Sequence, residues 1–212
     1  MFYKAAAANF GGMNIYTGEE AALPQLLQQN PLFVFALEDE AKEEFTEYNA
    51  CLVGIGKVNA AYHLTRRIYE NRPGIIVNLG SAGSNTFKRG EVICCTRFIQ
   101  RDMDVTPLGF QLFETPFSNL DPVLTYGLKA PGLQEGICGT GDNFEVAHVH
   151  TAYNVIDMEA FPLAWIAMQE KIPFLCLKYI SDGADGGAAE EWAEQVHQAA
   201  ATLKKELVKL MQ

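Results

Sequence analysis

Six short polar segments follow predicted β-strands, and side chains at these positions could act together on a ligand. In chain order they read EDE (38–40), GIG (54–56), SAG (81–83), DNF (142–144), DME (157–159) and SDG (181–183). In sheets built mainly from parallel strands, ligands bind beyond the carboxyl ends of the strands. Four of the segments contain carboxylates, and none of those four has a cation beside it in the sequence. Carboxylates gathered at one sheet edge can divide acid and base roles when their surroundings differ.

Each segment also has a purely structural interpretation. Acidic residues in a first helical turn complement the helix dipole, which would by itself account for residues 38–40. Asp157 and Asp182 could cap a helix or a turn, and Ser81 could be an ordinary residue of a glycine-rich turn. The six segments together favour a ligand site more strongly than any one of them alone.

No complete cofactor or metal motif accompanies these segments. The GIGKVN stretch from Gly54 resembles a dinucleotide-binding loop, but Asn59 replaces its third glycine and no acidic residue ends the next strand. The sequence contains neither a Walker A motif nor a G-x-S-x-G elbow. The four histidines lack metal-ligand spacing, and we expect His148 and His150 to be solvated or to serve as caps. We therefore predict that the protein uses neither a cofactor nor a metal.

Composition narrows the function classes further. The 212 residues, with 49% hydrophobic and 20% charged residues, fit one globular domain and exclude global disorder. A net charge of −10 disfavours nucleic acid and anionic membranes as partners. Five cysteines without a C-x-x-C pair are typical of buried free thiols in a reducing compartment. No apolar stretch is long enough to cross a bilayer and the N-terminus makes no convincing signal peptide, so we predict a cytoplasmic protein.

Buried strands alternate with helices from Leu32 onward. The predicted strands cover residues 32–37, 50–54, 74–80, 91–99, 134–140, 153–157 and 174–181. Helices are predicted over residues 38–45 and 57–69, from near Glu159, and over 188–211, and a turn is predicted at residues 81–84. Continuous Val, Ile and Leu runs between helices indicate a largely parallel sheet covered on both faces. The predicted fold class is α/β, a three-layer α/β/α sandwich with a mostly parallel central mixed sheet.

Seven motifs occur in the order that a known enzyme family shows. They read ALEDEAK, GIGKVNAA, NLGSAGS, DMDVT, GDNF, DMEA and FLCLKYISDGAD. From about Leu32 to its C-terminus the chain resembles the 5′-methylthioadenosine/S-adenosylhomocysteine nucleosidases of the purine nucleoside phosphorylase-like superfamily. The resemblance implies that superfamily's fold and a cytoplasmic enzyme of methionine salvage that hydrolyses a 5′-modified adenine nucleoside to release adenine. Residues 1–31 would then be an N-terminal extension of unknown role, and residues 32–212 the nucleosidase domain.

The resemblance implies three catalytic residues. Glu40, together with Ser81, would position and deprotonate the attacking water, and Asp182 would be the acid that serves N7 of the purine. Breaking an N-ribosidic bond builds positive charge on the sugar and negative charge on the leaving base. The chemistry therefore needs a protonated acid near the base and an ionised carboxylate that activates water on the other face of the sugar.

The resemblance also implies which residues bind the nucleoside: Leu37, Phe110, Phe144, Glu145, Met158, Glu159 and Ser181. Met158 would form the floor under the ribose, and Glu159 would accept its hydroxyl groups. Phe144 would stack on the base, while the backbone at Glu145 would bind the base edge. Ser181 would steady the catalytic Asp182.

A homodimer is a further implication of the resemblance. Val105, Leu108 and Phe110 would reach the neighbouring subunit's site and contact the 5′ substituent. The apolar run continues to Leu112 and Phe113, which is more than a small domain ordinarily exposes, although burial in the monomer's own core is the alternative.

Departures from the family pattern leave the exact nucleoside open. The connections between Glu40 and Gly54 and between Gly141 and Tyr153 are shorter than usual, and Asp157 stands where the family commonly has Glu. The alternatives are a nucleoside phosphorylase, a nucleosidase for another purine nucleoside, or a nucleoside-binding protein without catalysis. An acidic turn at residues 38–40 would repel a phosphate dianion, and Arg89 alone is weak compensation, so we predict water as the nucleophile.

Overall fold

The computed structural model of the chain describes residues 23–48, 50–148 and 150–212, and at positions 189, 193, 194, 196 and 197 it describes the backbone alone. Residues 1–22 of the predicted N-terminal extension and the side chain of His197 therefore lie outside the described residues.

The described helices are α1 (Leu23–Leu26), α2 (Glu38–Ala41), α3 (Lys57–Glu70), α4 (Ala160–Gln169) and α5 (Ala188–Leu210). The described strands are β1 (Pro31–Phe35), β2 (Cys51–Leu52), β3 (Ile75–Gly83), β4 (Val92–Gln100), β5 (Leu124–Thr125), β6 (Gln134–Thr140), β7 (Val155–Asp157) and β8 (Phe174–Asp182). Short 3₁₀ helices cover Glu43–Tyr48 and Thr106–Leu108.

The strands form one mixed sheet. Its order is β2-β1-β3-β7-β6-β4-β5, and β8 pairs with both β3 and β4. The β1–β2, β1–β3, β3–β8, β4–β6 and β6–β7 pairs are parallel, whereas β7 is antiparallel to β3, and β4 is antiparallel to β5 and β8. The five strands β3, β7, β6, β4 and β8 therefore close a circuit of pairings. The prediction of a mixed, mostly parallel sheet is confirmed.

Helices cover both faces of this sheet because side chains alternate along its strands. Ile76 and Cys176 point into one hydrophobic cluster, which Leu64 of α3 and Leu163 of α4 complete. Their neighbours in the strands, such as Val77 and Leu177, belong to a second cluster, with Leu203 of α5. Burial of apolar surface on both faces stabilises the predicted three-layer arrangement.

The end of the predicted N-terminal extension belongs to this core. Leu23 of α1 is buried in the same cluster as the α5 side chains, and so is Leu27. The first strand begins at Pro31. The described residues 23–30 thus pack against the domain that the sequence analysis began at residue 32.

The carboxyl ends of three strands meet at Gly83. This last residue of β3 pairs with Ile156 of β7 and with Asp182 of β8. A Cβ atom at position 83 would lie 2.6 Å from the Asp182 carboxylate, which is closer than van der Waals contact allows. Glycine at this position therefore lets the end of β8 approach β3.

Several predicted boundaries were wrong. Strand β3 continues through Gly83, so Ser81 lies in a strand and not in a turn. The predicted helix 38–45 breaks after four residues, because Lys42 adopts a φ of 43° and a 3₁₀ helix follows. Strand β1 ends at Phe35, β2 has two residues and β7 three, so these strands are shorter than predicted. Strand β5 was not predicted, since two residues produce no readable alternation.

The cysteines and the helices can be compared with what the composition indicated. All five cysteines are free; four are buried and Cys51 is half-buried. Among the described helices, none combines the length and the apolar character that crossing a bilayer requires.

Candidate active site

A cavity of about 430 Å³ lies where the carboxyl ends of β3, β7 and β8 converge. Most of the predicted site residues line it: Leu37, Glu40, Ser81, Phe144, Glu145, Met158, Glu159 and Asp182. Residues 81–83 and 156–159 reach the cavity from the ends of β3 and β7, and α2 and the 142–145 loop close other sides. The strand-end segments thus share one site.

Glu40 and Ser81 form a tightly bonded pair on one side of the cavity. Ser81 donates to Glu40 Oε1 from its backbone N–H (2.8 Å) and from its hydroxyl (2.6 Å). The other carboxylate oxygen accepts the backbone N–H groups of Ala36 and Leu37, each at 3.2 Å. Glu40 is buried, so these four donors replace the water that an exposed carboxylate would bind. Glu40 also caps the start of α2, so it has a structural role in addition to any role in catalysis.

Asp182 is buried at the end of β8 beside Ser181. The Ser181 hydroxyl donates to Asp182 Oδ2 at 2.8 Å, and the backbone N–H of Ala184 donates to Oδ1 at 3.0 Å. Burial raises the pKa of Asp182, and the two hydrogen bonds oppose that rise only in part. Burial therefore shifts the equilibrium of this carboxyl group toward its protonated form, which is the form that can donate a proton.

Glu159 lies at the floor of the cavity, next to Met158. Its Oε1 accepts the backbone N–H of Gly56 at 2.9 Å, which links the loop before α3 to the end of β7. Burial, reinforced by the negative charge of Asp157, raises the pKa of Glu159 to about 8. A neighbouring positive charge would favour its ionised form.

Asp157 and Lys178 form an ion pair that the sequence analysis did not identify. Their carboxylate and ammonium groups are 2.8 Å apart and buried. Asp157 also accepts the Thr140 hydroxyl at 2.5 Å and the Ala160 N–H at 2.8 Å, so it caps α4 as its structural interpretation predicted. Burial opposes ionisation, but Lys178 and these donors hold the pKa of Asp157 below its usual range. The sequence did contain a signal for this ion pair: a single lysine lies within an apolar strand, and a buried ammonium group needs a partner of opposite charge.

Arg101 joins the loop that contains Phe144 and Glu145. Its guanidinium lies 3.0 Å from the Glu145 carboxylate and 2.9 Å from Asn143 Oδ1, and it also donates to the Asn143 carbonyl. The Tyr153 hydroxyl donates to Glu145 as well, at 3.2 Å. This network ties the loop to the residue that follows β4 and to the segment before β7, and Arg101 itself lines the cavity.

Trp192 is a second cavity residue that sequence reasoning missed. It lies in the first turns of α5, and its indole N–H donates to the Ser81 hydroxyl at 2.9 Å. The two residues are 111 positions apart. No local pattern connects them, and the α5 sequence indicated only an amphipathic helix.

Other predicted residues lie away from the cavity. Ser181 stands behind Asp182, and Phe110 packs against Phe117 with ring centroids 5.5 Å apart. Leu108 is 73% exposed, and Val105 is half-buried. Arg89 is paired with Glu191.

The expectation for His148 was wrong. Its ring stacks on Tyr153, with centroids 4.9 Å apart, and both ring nitrogens are buried without a hydrogen-bond partner. The aromatic neighbour excludes water from this ring, whereas His150 is exposed. Across the described part of the chain, no group of three His, Cys, Asp or Glu side chains is arranged to hold a metal ion.

Comparisons with known proteins agree with this architecture. Residues 42–212 match the family described as the phosphorylase superfamily. The chain is 32% identical over 169 residues to the 5′-methylthioadenosine/S-adenosylhomocysteine nucleosidase of Staphylococcus carnosus, covering 70% of this chain and 74% of that protein. It is 30% identical over 179 residues to the enzyme of the same name from Anoxybacillus flavithermus, covering 74% and 77%.

Solved structures with less than 20% identity share the fold. One is a Helicobacter pylori 5′-methylthioadenosine/S-adenosylhomocysteine nucleosidase with butyl-thio-DADMe-Immucillin-A, at a TM-score of 0.77 and 19% identity. Another is the futalosine hydrolase of the same organism, at 0.77 and 18%. Each similarity covers 86% of this chain and 97% of the other. The predicted nucleoside phosphorylase-like fold is confirmed.

Proposed function

This chain belongs to the phosphorylase superfamily and, within it, to the 5′-methylthioadenosine/S-adenosylhomocysteine nucleosidases, and from that premise we propose that it hydrolyses the N-glycosidic bond of one of these nucleosides to release adenine. The observation that carries the proposal is the placement of Glu40, Glu159 and Asp182 around one cavity. Their hydrogen bonds differ, so the three carboxyl groups can take different parts in one reaction.

Asp182 is the proposed acid. Burial raises the pKa of Asp182, which favours the protonated form, and that proton would pass to N7 of the purine as the bond to the sugar breaks. The base then leaves as neutral adenine instead of an anion. General acid catalysis of this kind contributes about 10²- to 10⁴-fold to the rate.

Glu159 is proposed to bind the ribose hydroxyl groups and to stabilise the positively charged sugar. The carboxyl group has a raised pKa in the free protein, and the developing positive charge would favour its ionised form. The N–H of Gly56 already donates to one of its oxygens, which supports the same form. Met158 lines the cavity beside it and would pack against the sugar.

Water is the proposed nucleophile, held by Glu40 and Ser81. Two like charges about 4 Å apart repel by roughly 1 kcal/mol in water and about 4 kcal/mol at an effective dielectric constant near 20, so phosphate beside Glu40 would be opposed. Among the described residues, Arg101 is the cation that lines the cavity, and its guanidinium is bound to Glu145 and Asn143. A neutral water meets no such repulsion.

Incubation with 5′-methylthioadenosine, with and without millimolar phosphate, tests this function. We expect free adenine and free 5-methylthioribose at a rate that phosphate leaves unchanged. A sugar 1-phosphate as the main product would replace the proposal with a phosphorylase. Cleavage of inosine in preference to 5′-methylthioadenosine would indicate another purine nucleosidase, and binding without release of base would indicate a nucleoside-binding protein.

A homodimer in the cytoplasm is also part of the proposal. Leu108 and Phe117 are 73% and 91% exposed, and Val58 of α3 is 78% exposed, so apolar surface is available for a second copy. Phe110, beside Phe117, would then contact the 5′ substituent in the partner's site. The five free cysteines are consistent with a reducing compartment, and the net charge of −10 disfavours nucleic acid and membrane partners.

Sedimentation velocity at micromolar concentration tests the dimer. We expect a dimer that Leu108→Asp converts to monomer, because the substitution would place an unpaired charge in the predicted interface. Val208→Asp on α5, where the native side chain is 40% exposed, is the control and should leave the dimer intact. A wild-type protein that sediments only as a monomer would exclude the shared-site role of Phe110.

A further inference from the structure

Trp192 connects the start of α5 to the pair that holds the proposed nucleophilic water. Its indole N–H lies 2.9 Å from the Ser81 hydroxyl, and that hydroxyl lies 2.6 Å from Glu40 Oε1. The three side chains also line the same cavity. They form one chain of hydrogen bonds that runs from α5 across β3 to α2.

The donor and acceptor capacities of the three groups fix the direction of these hydrogen bonds. An indole N–H can only donate, a serine hydroxyl has one proton and two lone pairs, and an ionised carboxylate can only accept. Since Trp192 donates to Ser81, one lone pair of the hydroxyl is occupied. The Ser81 proton is then directed to Glu40, and one lone pair of Ser81 remains for a further donor.

Contacts of the neighbouring residue Glu191 hold Trp192 in this position. Glu191 accepts the backbone N–H of Gly183 at 3.1 Å and is paired with Arg89. Gly183 directly follows Asp182, so the first turn of α5 is tied to the segment of the proposed acid. The same helical turn therefore contacts both sides of the cavity.

We infer that Trp192 is a positioning residue for the attacking water, acting through Ser81; this rests on the proposed hydrolase function. The indole N–H orients the Ser81 hydroxyl so that its proton points to Glu40. The hydroxyl can then only accept a hydrogen bond from the water. The water then donates a hydrogen bond to Ser81 and keeps its own lone pairs for the sugar. Without the indole N–H, the hydroxyl can rotate, donate to the water and occupy the lone pair that should attack.

Trp192→Phe removes the N–H donor and keeps an aromatic ring. We expect kcat for adenine release to fall about three- to tenfold, the range for one neutral hydrogen bond, with KM changed less than twofold. Trp165→Phe is the matched control, because the chain has two tryptophans and Trp165 lies on α4, 39% exposed. It should retain wild-type kcat. Equal kcat for wild type and Trp192→Phe would overturn the inference.

A double-mutant cycle separates positioning from packing. Ser81→Ala should lower kcat, and Trp192→Phe in that background should cause no further loss, because the partner of the indole is already gone. If the two losses multiply instead, Trp192 acts by filling space and the inference fails. Equal melting temperatures of Trp192→Phe and Trp165→Phe would exclude misfolding as the cause of a lower kcat.

A spectroscopic measurement distinguishes failure of this inference from failure of the proposed function. In the Trp165→Phe protein, Trp192 is the single indole, and its ultraviolet resonance Raman N–H band reports hydrogen bonding. Ser81→Ala should shift this band toward the value of an unbonded indole. An unchanged band would overturn the inference even if wild type releases adenine, whereas a shifted band with no adenine release would reject only the hydrolase.

Discussion

Asp157 and Glu159 are buried carboxylates two residues apart, and their surroundings shift their pKa values in opposite directions. They are 5% and 8% exposed. Asp157 contacts the Lys178 ammonium and two further donors, and its pKa is lowered. Glu159 accepts one backbone N–H and lies near the Asp157 charge, and its pKa rises to about 8. Burial alone therefore does not decide protonation; the number and charge of the partners do.

Asp182, a third buried carboxyl group at the cavity, accepts hydrogen bonds from two neutral donors, and its pKa is raised. We expect Asp182→Asn to fold normally and to lower kcat by about 10²- to 10⁴-fold, since the amide cannot protonate the base. Initial rates of adenine release measure this loss. Asp121→Asn is the control, because Asp121 is exposed and does not line the cavity, so it should retain activity. Near wild-type turnover of Asp182→Asn would exclude Asp182 as the acid.

Lys178 is the cation that holds the pKa of Asp157 below its usual range, and the pKa of nearby Glu159 is raised. Lys178→Met leaves Asp157 buried without its partner, and we expect the free energy of unfolding to fall by about 3 to 5 kcal/mol. Urea unfolding measures this change. Lys57→Met is the matched control: its ammonium lies 2.5 Å from Asp102, but both side chains are partly exposed, so the loss should be at most about 1 kcal/mol. Equal losses in the two variants would show that the buried pair has no special effect.

The charge of Glu159 can be removed while its shape is kept. We expect Glu159→Gln to lower kcat by roughly a hundredfold, more than it raises KM, because an amide still bonds a hydroxyl but does not offset positive charge on the sugar. Steady-state kinetics on 5′-methylthioadenosine separate the two effects. Glu170→Gln, beyond the end of α4, provides a control with an exposed carboxylate. A change confined to KM would mean that Glu159 only binds.

The same variant should alter how stability depends on pH. Folding raises the pKa of Glu159 from 4.5 to about 8, so the contribution of this group to stability is fully present below pH 4.5 and is lost as the pH rises toward 8. Glu159→Gln has no such group, and its melting temperature should therefore exceed that of wild type increasingly from about pH 5 to pH 8.5. A difference of 1 kcal/mol corresponds to about 2 to 4 °C at this chain length. A difference that does not vary with pH would contradict the raised pKa.

The sequence predicted those parts of the site that local patterns determine. Asp157 and Asp182 end apolar strands and Glu40 lies on the short helix after β1, so locating the strands was enough to place these residues at one end of the sheet. The fold class followed from the same alternation of strands and helices. The exact strand ends did not, because pairing at Gly83, and not the glycine-rich composition, determines where β3 stops.

The partners of these carboxylates were not predictable, because they come from distant parts of the chain. Lys178 meets Asp157 only through the packing of β8 and β7 into the sheet, and Trp192 meets Ser81 across 111 residues. Arg101 reaches Glu145 from the end of β4 in the same way. The predicted homodimer and the roles assigned to single residues remain predictions.

Strand β8 pairs with both β3 and β4, and this pairing affects how easily the protein opens locally. Lys178 and Asp182 both lie on a strand that is hydrogen-bonded to β3 along one edge and to β4 along the other. Residues 177–179 of β8 are paired on both edges, so their amides should exchange with deuterium more slowly than amides at the ends of the strand. The proposed acid Asp182 lies just beyond this segment and pairs with Gly83 of β3, whereas Glu40 lies on the four-residue helix α2, which could detach by local opening alone.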